Sequence, residues 1–154
     1  MRRLIFAVLS LAFLATACQP VTTELTEEQK AAIADTVNQL HTSLTDALNA
    51  RDADRFFASY SDDMLWGGAY GFGTRAVVED AVRAGMESST DAEWDISWYD
   101  TDVKVLGPDA AVFWGSYGGG DERTHTTLVY ARIDGEWKMV HAHASPAESP
   151  PEGY

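Results

Sequence analysis

"DGEWKMVHAHAS", residues 134–145, is the stretch that decides the fold. Asp134-Gly135 is a two-residue hairpin signal, because both residues tolerate positive φ. Polar and apolar residues alternate on both sides of it, in "ERTHTTLVYARI" (122–133) and "EWKMVHAHAS" (136–145). A period of two predicts strands, so this is an antiparallel pair. The same period runs upstream through "DAAVFWGSY" (109–117) and "AEWDISWYDTDVKVLG" (92–107), with turns at "GPD" (107–109) and "GGGD" (118–121). Everything after residue 90 is therefore predicted to be a four-stranded meander.

Before residue 90 the period lengthens. In "TEEQKAAIADTVNQLHTSLTDALNARD" (26–52), Ile33, Val37, Leu40, Leu44 and Leu48 recur every three or four residues, as on one helix face. Thr26 with Gln29 makes a capping box, and Glu27 and Glu28 suit the positive end of the helix dipole. His41 falls beside the apolar stripe, where a histidine is expected to be solvated. "DADRFFASYSDD" (52–63) predicts a second helix capped by Asp52 or Asp54. "MLWGG" (64–68) predicts a short strand and "GAYGFGT" (68–74) a loop, most readily one over a pocket mouth. Thr74 is placed to cap a third helix, "RAVVEDAVRAGMESS" (75–89). Segregated helices and strands imply an α+β domain, three N-terminal helices packed in one curved antiparallel sheet. Such a cone-shaped half-barrel has a concave mouth, where ligand pockets form.

The first residues carry targeting information rather than fold. Arg2 and Arg3 precede the apolar run "LIFAVLSLAFLA" (4–15), and "LATAC" (14–18) ends on the chain's single cysteine. That pattern resembles a bacterial lipobox, which implies a signal peptide over 1–17, lipid attachment at Cys18 and a tether over 18–26. The expected location is the cell envelope, lipid-anchored on the periplasmic or outer surface; Gln19 leans toward the outer membrane by analogy. The domain is expected over 27–146 and a disordered, proline-rich tail over 147–154. With one cysteine, no internal disulfide can form. The formal net charge of −13 argues against nucleic acid as a partner.

"NARDADRFFASYSDD" (49–63), "LGPDAAVFWG" (106–115) and, above all, "DGEWKMVHAHAS" resemble the SnoaL-like branch of the nuclear-transport-factor-2-like superfamily. The last stretch is also similar to the end of the calcium/calmodulin-dependent kinase association domain. The resemblance spans about residues 27–145. It implies the fold described above, and a homodimer paired through the convex face of the sheet. It does not imply one activity, since the superfamily holds isomerases, cyclases, dehydratases, binding proteins and oligomerisation modules. The association domain carries pocket arginines at positions corresponding to Tyr117, Leu128 and Ala144, none of which is basic here. A small carboxylate held by an arginine cluster is thus disfavoured, and an apolar or aromatic ligand is implied. The steroid-isomerase set does not carry over either, because Asp62, Asp63, Asp100 and Asp102 all stand in polar company rather than in an apolar run.

His141 and His143 are the candidate catalytic residues, as a general base near neutral pH. Two registers of the last hairpin are open. A regular ladder sets Leu128 opposite His141 and Thr126 opposite His143, and this straight register is the expectation. The family comparison, which places Leu128 and Ala144 in one pocket, needs a β-bulge between residues 140 and 144. The histidine pair has three readings: half of a metal site, a base at the pocket mouth, or packing in the sheet or dimer interface. The last is the default. No metal is expected, because His125 falls on the opposite face of the straight register and zinc needs further ligands. No cofactor is expected, because the glycines of 67–73 lack the strand–GxGxxG–helix framing of a dinucleotide site.

The chain is rich in large rings, including Trp66, Trp94, Trp98, Trp114 and Trp137. Some fill the core and others are expected to line a cavity. The expected ligand-binding set is Tyr60, Trp66, Trp98, Tyr117, Leu128, Tyr130 and His143. The functional expectation is a membrane-anchored domain that binds a small, largely apolar molecule. The alternatives are an enzyme of the same fold (isomerase, dehydratase or hydrolase) with a pocket histidine as base, and a structural dimerisation module without ligand.

Overall fold

The structure, a computed structural model, describes residues 24–68, 71–89, 95–118 and 123–147. The signal segment, Cys18, Trp94 and nearly all of the tail lie outside the described residues. Among the described residues, no helix is long and apolar enough to cross a membrane.

Helix α1 (Glu27–Asn49) begins on the capping box, with Thr26 and Gln29 each bonding the other's backbone N–H at 3.2 and 2.9 Å. Helix α2 (Ala53–Phe57) starts at Asp52, whose carboxylate accepts from the Arg55 N–H at 3.0 Å. Helix α3 (Arg75–Ser88) starts after Thr74, whose side chain makes no cap hydrogen bond. Strands β1 (Tyr60–Gly68), β2 (Gly71–Thr74), β3 (Ser97–Gly107), β4 (Ala110–Gly118), β5 (Thr124–Ile133) and β6 (Glu136–Pro146) form one sheet in the order β2-β1-β6-β5-β4-β3. The predicted α+β half-barrel is the observed architecture: a curved, unclosed sheet with the helices in its concave side.

Three local expectations give way to tertiary pairing. The second helix ends at Phe57 rather than running to residue 63, because Tyr60–Gly68 is drawn into the sheet beside β6. The glycine-rich stretch expected to be a loop pairs as β2 against β1, from Leu65↔Thr74 to Gly68↔Gly71. The β1–β6 pair runs parallel, whereas every other pair is antiparallel.

The hairpin at Asp134-Gly135 forms with both φ positive, 52° and 87°. Its ladder is not straight. Tyr130 pairs with Met139, but Val129 pairs with His141, so Val140 is one residue too many for β5. The expected straight register is thereby corrected. Beyond the bulge Leu128 faces Ala142 and Thr126 faces Ala144, while His141 and His143 turn to the convex side. The pairing of β1 with β6 breaks at the same level, between Tyr60↔Met139 and Leu65↔His141.

The core lies between α1 and the sheet. Val37, Phe57, Met64, Phe113, Tyr130 and Met139 are its most deeply buried large side chains. Each contributes about 1.5–3 kcal/mol by leaving water. Two polar clamps set the edges. The Asn49 side chain takes the place of a strand partner for Ile96, donating to its carbonyl at 3.0 Å and accepting from its N–H at 2.9 Å. Arg75 joins α3 to β1 through the Asp62 carboxylate (2.7 Å) and the Tyr60 carbonyl (3.2 Å).

Gly68 closes the rim where β1 meets β6. A Cβ there would lie 2.6 Å from the Trp66 ring and 2.8 Å from the Ala144 carbonyl oxygen. The backbone contact cannot be relieved by a side-chain rotation. Gly68→Ala is therefore expected to cost about 1–3 kcal/mol and to lower the melting temperature by about 4–10 °C. An unchanged melting temperature by circular dichroism would contradict this packing.

Candidate functional site

The concave side of the sheet and the three helices enclose a cavity of about 490 Å³. Its floor comes from alternate residues of the strands: Tyr60, Met64 and Trp66 of β1, Trp98 of β3, Tyr117 of β4, Thr126 and Leu128 of β5, and Met139, Ala142 and Ala144 of β6. Alternation puts such residues on one face because successive side chains point to opposite sides. Leu44 and Leu48 of α1 and Val78 and Val82 of α3 form the roof. Among the described residues, no Asp, Glu, Lys or Arg lines the cavity.

Of the expected ligand-binding set, Tyr60, Trp66, Trp98, Tyr117 and Leu128 are in the lining. Tyr117, Leu128 and Ala144, the three positions occupied by arginine in the association domain, are all there. Tyr130 points to the same side but is fully buried beneath the cavity, in the core. His143 does not reach the cavity. It is exposed on the convex face and lines a separate shallow hollow with Asp100, Trp114, Ser116 and His125. His141 is on that face too, half-buried opposite Val129. The bulge at Val140 is the reason for both corrections, and it also brings His125 to the histidines' side of the sheet. His125 Nδ1 is 2.8 Å from the Ser116 hydroxyl. Among the described residues, no three His, Cys, Asp or Glu side chains are grouped to hold a metal ion.

The histidine that does line the cavity is His41. It was expected to be solvated, yet it is only 6% exposed. The imidazole stacks on Phe113 (centroids 3.7 Å apart, planes at 27°) and meets Trp98 edge to face at 4.1 Å. Trp98 in turn lies against Tyr117 at 5.0 Å. The signal was present in the spacing. Position 41 is four residues from Val37 and three from Leu44, so His41 forms one flank of the buried stripe of Ile33, Val37 and Leu44.

Burial governs the ionisation of every titratable ring here. Desolvation lowers the His41 pKa to about 4, so its ring is neutral at physiological pH. The Tyr60 phenol is raised by burial and, further, by the neighbouring Tyr117. Burial also raises Tyr117, against a smaller opposing effect of its hydrogen bond with Thr124. Tyr130 is raised well above its ordinary value by burial and by Tyr60. The cavity thus presents neutral phenols, a neutral imidazole and two indoles in an apolar wall.

A cone-shaped α+β domain with a greasy, uncharged cavity is the class that this geometry defines. Residues 37–149 match the family described as the SnoaL-like domain, and the chain belongs to that family. No curated protein matches the chain. Solved structures agree on the fold. An NTF2-like protein of unknown function from Pseudomonas putida KT2440 is 22% identical with a TM-score of 0.65, covering 78% of this chain and 90% of its own. A Pectobacterium atrosepticum protein of unknown function gives 17% identity and a TM-score of 0.64, covering 81% and 100% respectively. A Xanthomonas campestris protein provisionally described as a calcium/calmodulin dependent protein kinase II association domain gives 19% and 0.63, covering 74% and 87%.

The His41 shift has a measurable consequence. Between pH 6.5 and 4 the unfolded chain takes up a proton that the folded ring refuses. Stability from this group is therefore fully present above pH 6.5 and is lost as pH falls through that window, by roughly 3 kcal/mol in all. His41→Leu is expected to remove this component, so that denaturant unfolding of the variant shows a shallower decline over the same pH range. Parallel pH profiles for the two proteins would refute the buried, neutral ring.

Proposed function

We propose that the chain binds a small, largely apolar, uncharged molecule in the concave cavity. The observation that carries this reading is the lining: about 490 Å³ of space walled by aliphatic and aromatic side chains, with no ionised group among the described residues. Transfer of an apolar body into such walls is favoured by roughly 25 cal/mol per Å² of buried surface. An ionic ligand would lose its hydration without gaining a counter-charge. A cavity of this size also weighs against the purely structural alternative, which needs it filled by side chains. The enzyme alternative draws support from a histidine in the wall, but at His41 rather than at His141 or His143. Unlike a poised base, that ring has no carboxylate partner among the described residues to raise its basicity.

Tryptophan fluorescence tests the reading, because Trp66 and Trp98 are in the lining. Titration with a panel of neutral lipophiles is expected to give saturable changes for some members. Ala144→Phe, which pushes a ring into the cavity, should weaken those by tenfold or more while leaving the circular dichroism spectrum intact. A flat response to the whole panel would sink the proposal.

The same reading places the domain at a membrane through Cys18, supported by the "LATAC" sequence, and as a homodimer through the convex face of the sheet. That face exposes Trp114 (46%) and Leu65 (58%). Cys18→Ser is expected to move the protein from the membrane to the soluble fraction, with twice the monomer mass by light scattering. Continued membrane binding would exclude the anchor, and a monomer mass would exclude the dimer.

A further inference from the structure

His41 and Trp98 hold buried polar atoms with no hydrogen-bond partner among the described residues. They are Nδ1 and Nε2 of His41 and Nε1 of Trp98, in rings whose centroids are 4.1 Å apart. Native proteins pair nearly all such atoms, and those left over call for an explanation. Two nearby threonines spend their donor hydrogens elsewhere. Thr45 donates to the carbonyl of His41 itself at 3.0 Å, and Thr126 to the His143 carbonyl at 2.8 Å. The wall made by these rings is shared. His41, Thr45 and Trp98 line the cavity on one side and, on the other, an outer hollow that includes Asn38, Thr42, Asp46 and Asp102. In the resting fold all three nitrogens are sealed within this wall, which has open space on both sides, so they meet a ligand once the rings turn their polar edges inward.

Resting on the cavity being a binding site, we infer that His41, with Trp98 beside it, is the specificity-determining residue, and that the ligand's inner end carries one uncharged hydrogen-bonding group, a hydroxyl or carbonyl. A neutral imidazole offers one N–H and one lone pair, and the indole adds a second N–H. A hydroxyl can donate to the imidazole lone pair and accept from either N–H; a carbonyl can accept from both. An amine or a carboxylate would be stranded. No opposite charge stands in the lining among the described residues, and the ring itself resists protonation because it is desolvated. The polar pair therefore selects among greasy molecules those with one neutral polar group.

Equilibrium dialysis of the soluble Cys18→Ser chain against naphthalene, 2-naphthol and 2-naphthoate tests this. These probes share one flat body and differ in a single group. The expected result is 2-naphthol binding about tenfold tighter than the other two, the size of one net hydrogen bond. His41→Leu should abolish that preference, read as the ratio of naphthol to naphthalene affinity in the same variant, and His41→Gln, which keeps a donor and an acceptor, should restore part of it. Naphthalene binding that is sensitive to Ala144→Phe, with no naphthol preference or with one that survives in His41→Leu, would overturn the inference and leave the cavity reading standing. Tightest binding of the carboxylate would overturn the inference and the uncharged-ligand reading together. If none of the three binds, both fall.

Discussion

One surplus residue determines what the cavity is made of. Were β6 regular through Val140, His141 and His143 would stand opposite Leu128 and Thr126 on the concave side. The bulge exchanges them for Ala142 and Ala144. Two imidazoles leave the cavity floor and two methyl groups replace them, so the floor becomes both apolar and shallow. The small side chains matter as much as the lost polarity, since alanines on the innermost strand leave the volume that larger residues would fill. A bulge also tightens local twist, and here it coincides with the break in β1 pairing between Tyr60 and Leu65. The two irregularities fall at one level of the sheet, where it must bend around α1 and α2.

Signals confined to a few neighbouring residues were legible in the sequence. The capping box at Thr26, the Asp52 cap and the Asp134-Gly135 turn act through contacts within a few residues, so local chemistry suffices to place them. The period-two strands after residue 90 were equally plain. What escaped depends on partners distant in the chain. Ser61, Asp62 and Asp63 continue a helical pattern in isolation, and the pairing of Tyr60 and of Leu65–Gly68 with β6 on either side draws them into strand. The glycines of 71–74 pair with β1 despite poor strand propensity, because a two-stranded edge forms once β1 is in place. The bulge leaves no local mark at all: "KMVHAHA" reads the same with or without it. It was the family comparison, requiring Leu128 and Ala144 in one pocket, that pointed to the bulged register over the regular one.

His41 was missed for a different reason. A histidine on a helix is ordinarily assigned by its polarity to the wet side, and Leu40 seemed to supply the apolar position. Spacing from Val37 and Leu44 suits either position, since each is three residues from one and four from the other, and the neighbouring rings determine the outcome. Phe113 and Trp98 offer flat surfaces that an imidazole covers nearly as well as a phenyl ring does, while its two nitrogens have no partner among the described residues. The polar atoms carry a cost that a leucine or phenylalanine at the same place would not. Their retention is explained if something other than the resting fold uses them.

Charge completes the selection from outside. The chain carries a formal charge of −13, with its acidic side chains outside the cavity lining among the described residues. An anionic molecule is repelled on approach, since a protein's summed field acts well before contact. A cation is drawn to the surface, yet the lining offers it no carboxylate to replace its hydration, so it gains nothing by entering. Uncharged molecules are the class that neither the surface nor the cavity opposes. On the proposed reading the aromatic walls reward apolar area, and the His41–Trp98 corner adds discrimination by hydrogen bonding to that by shape.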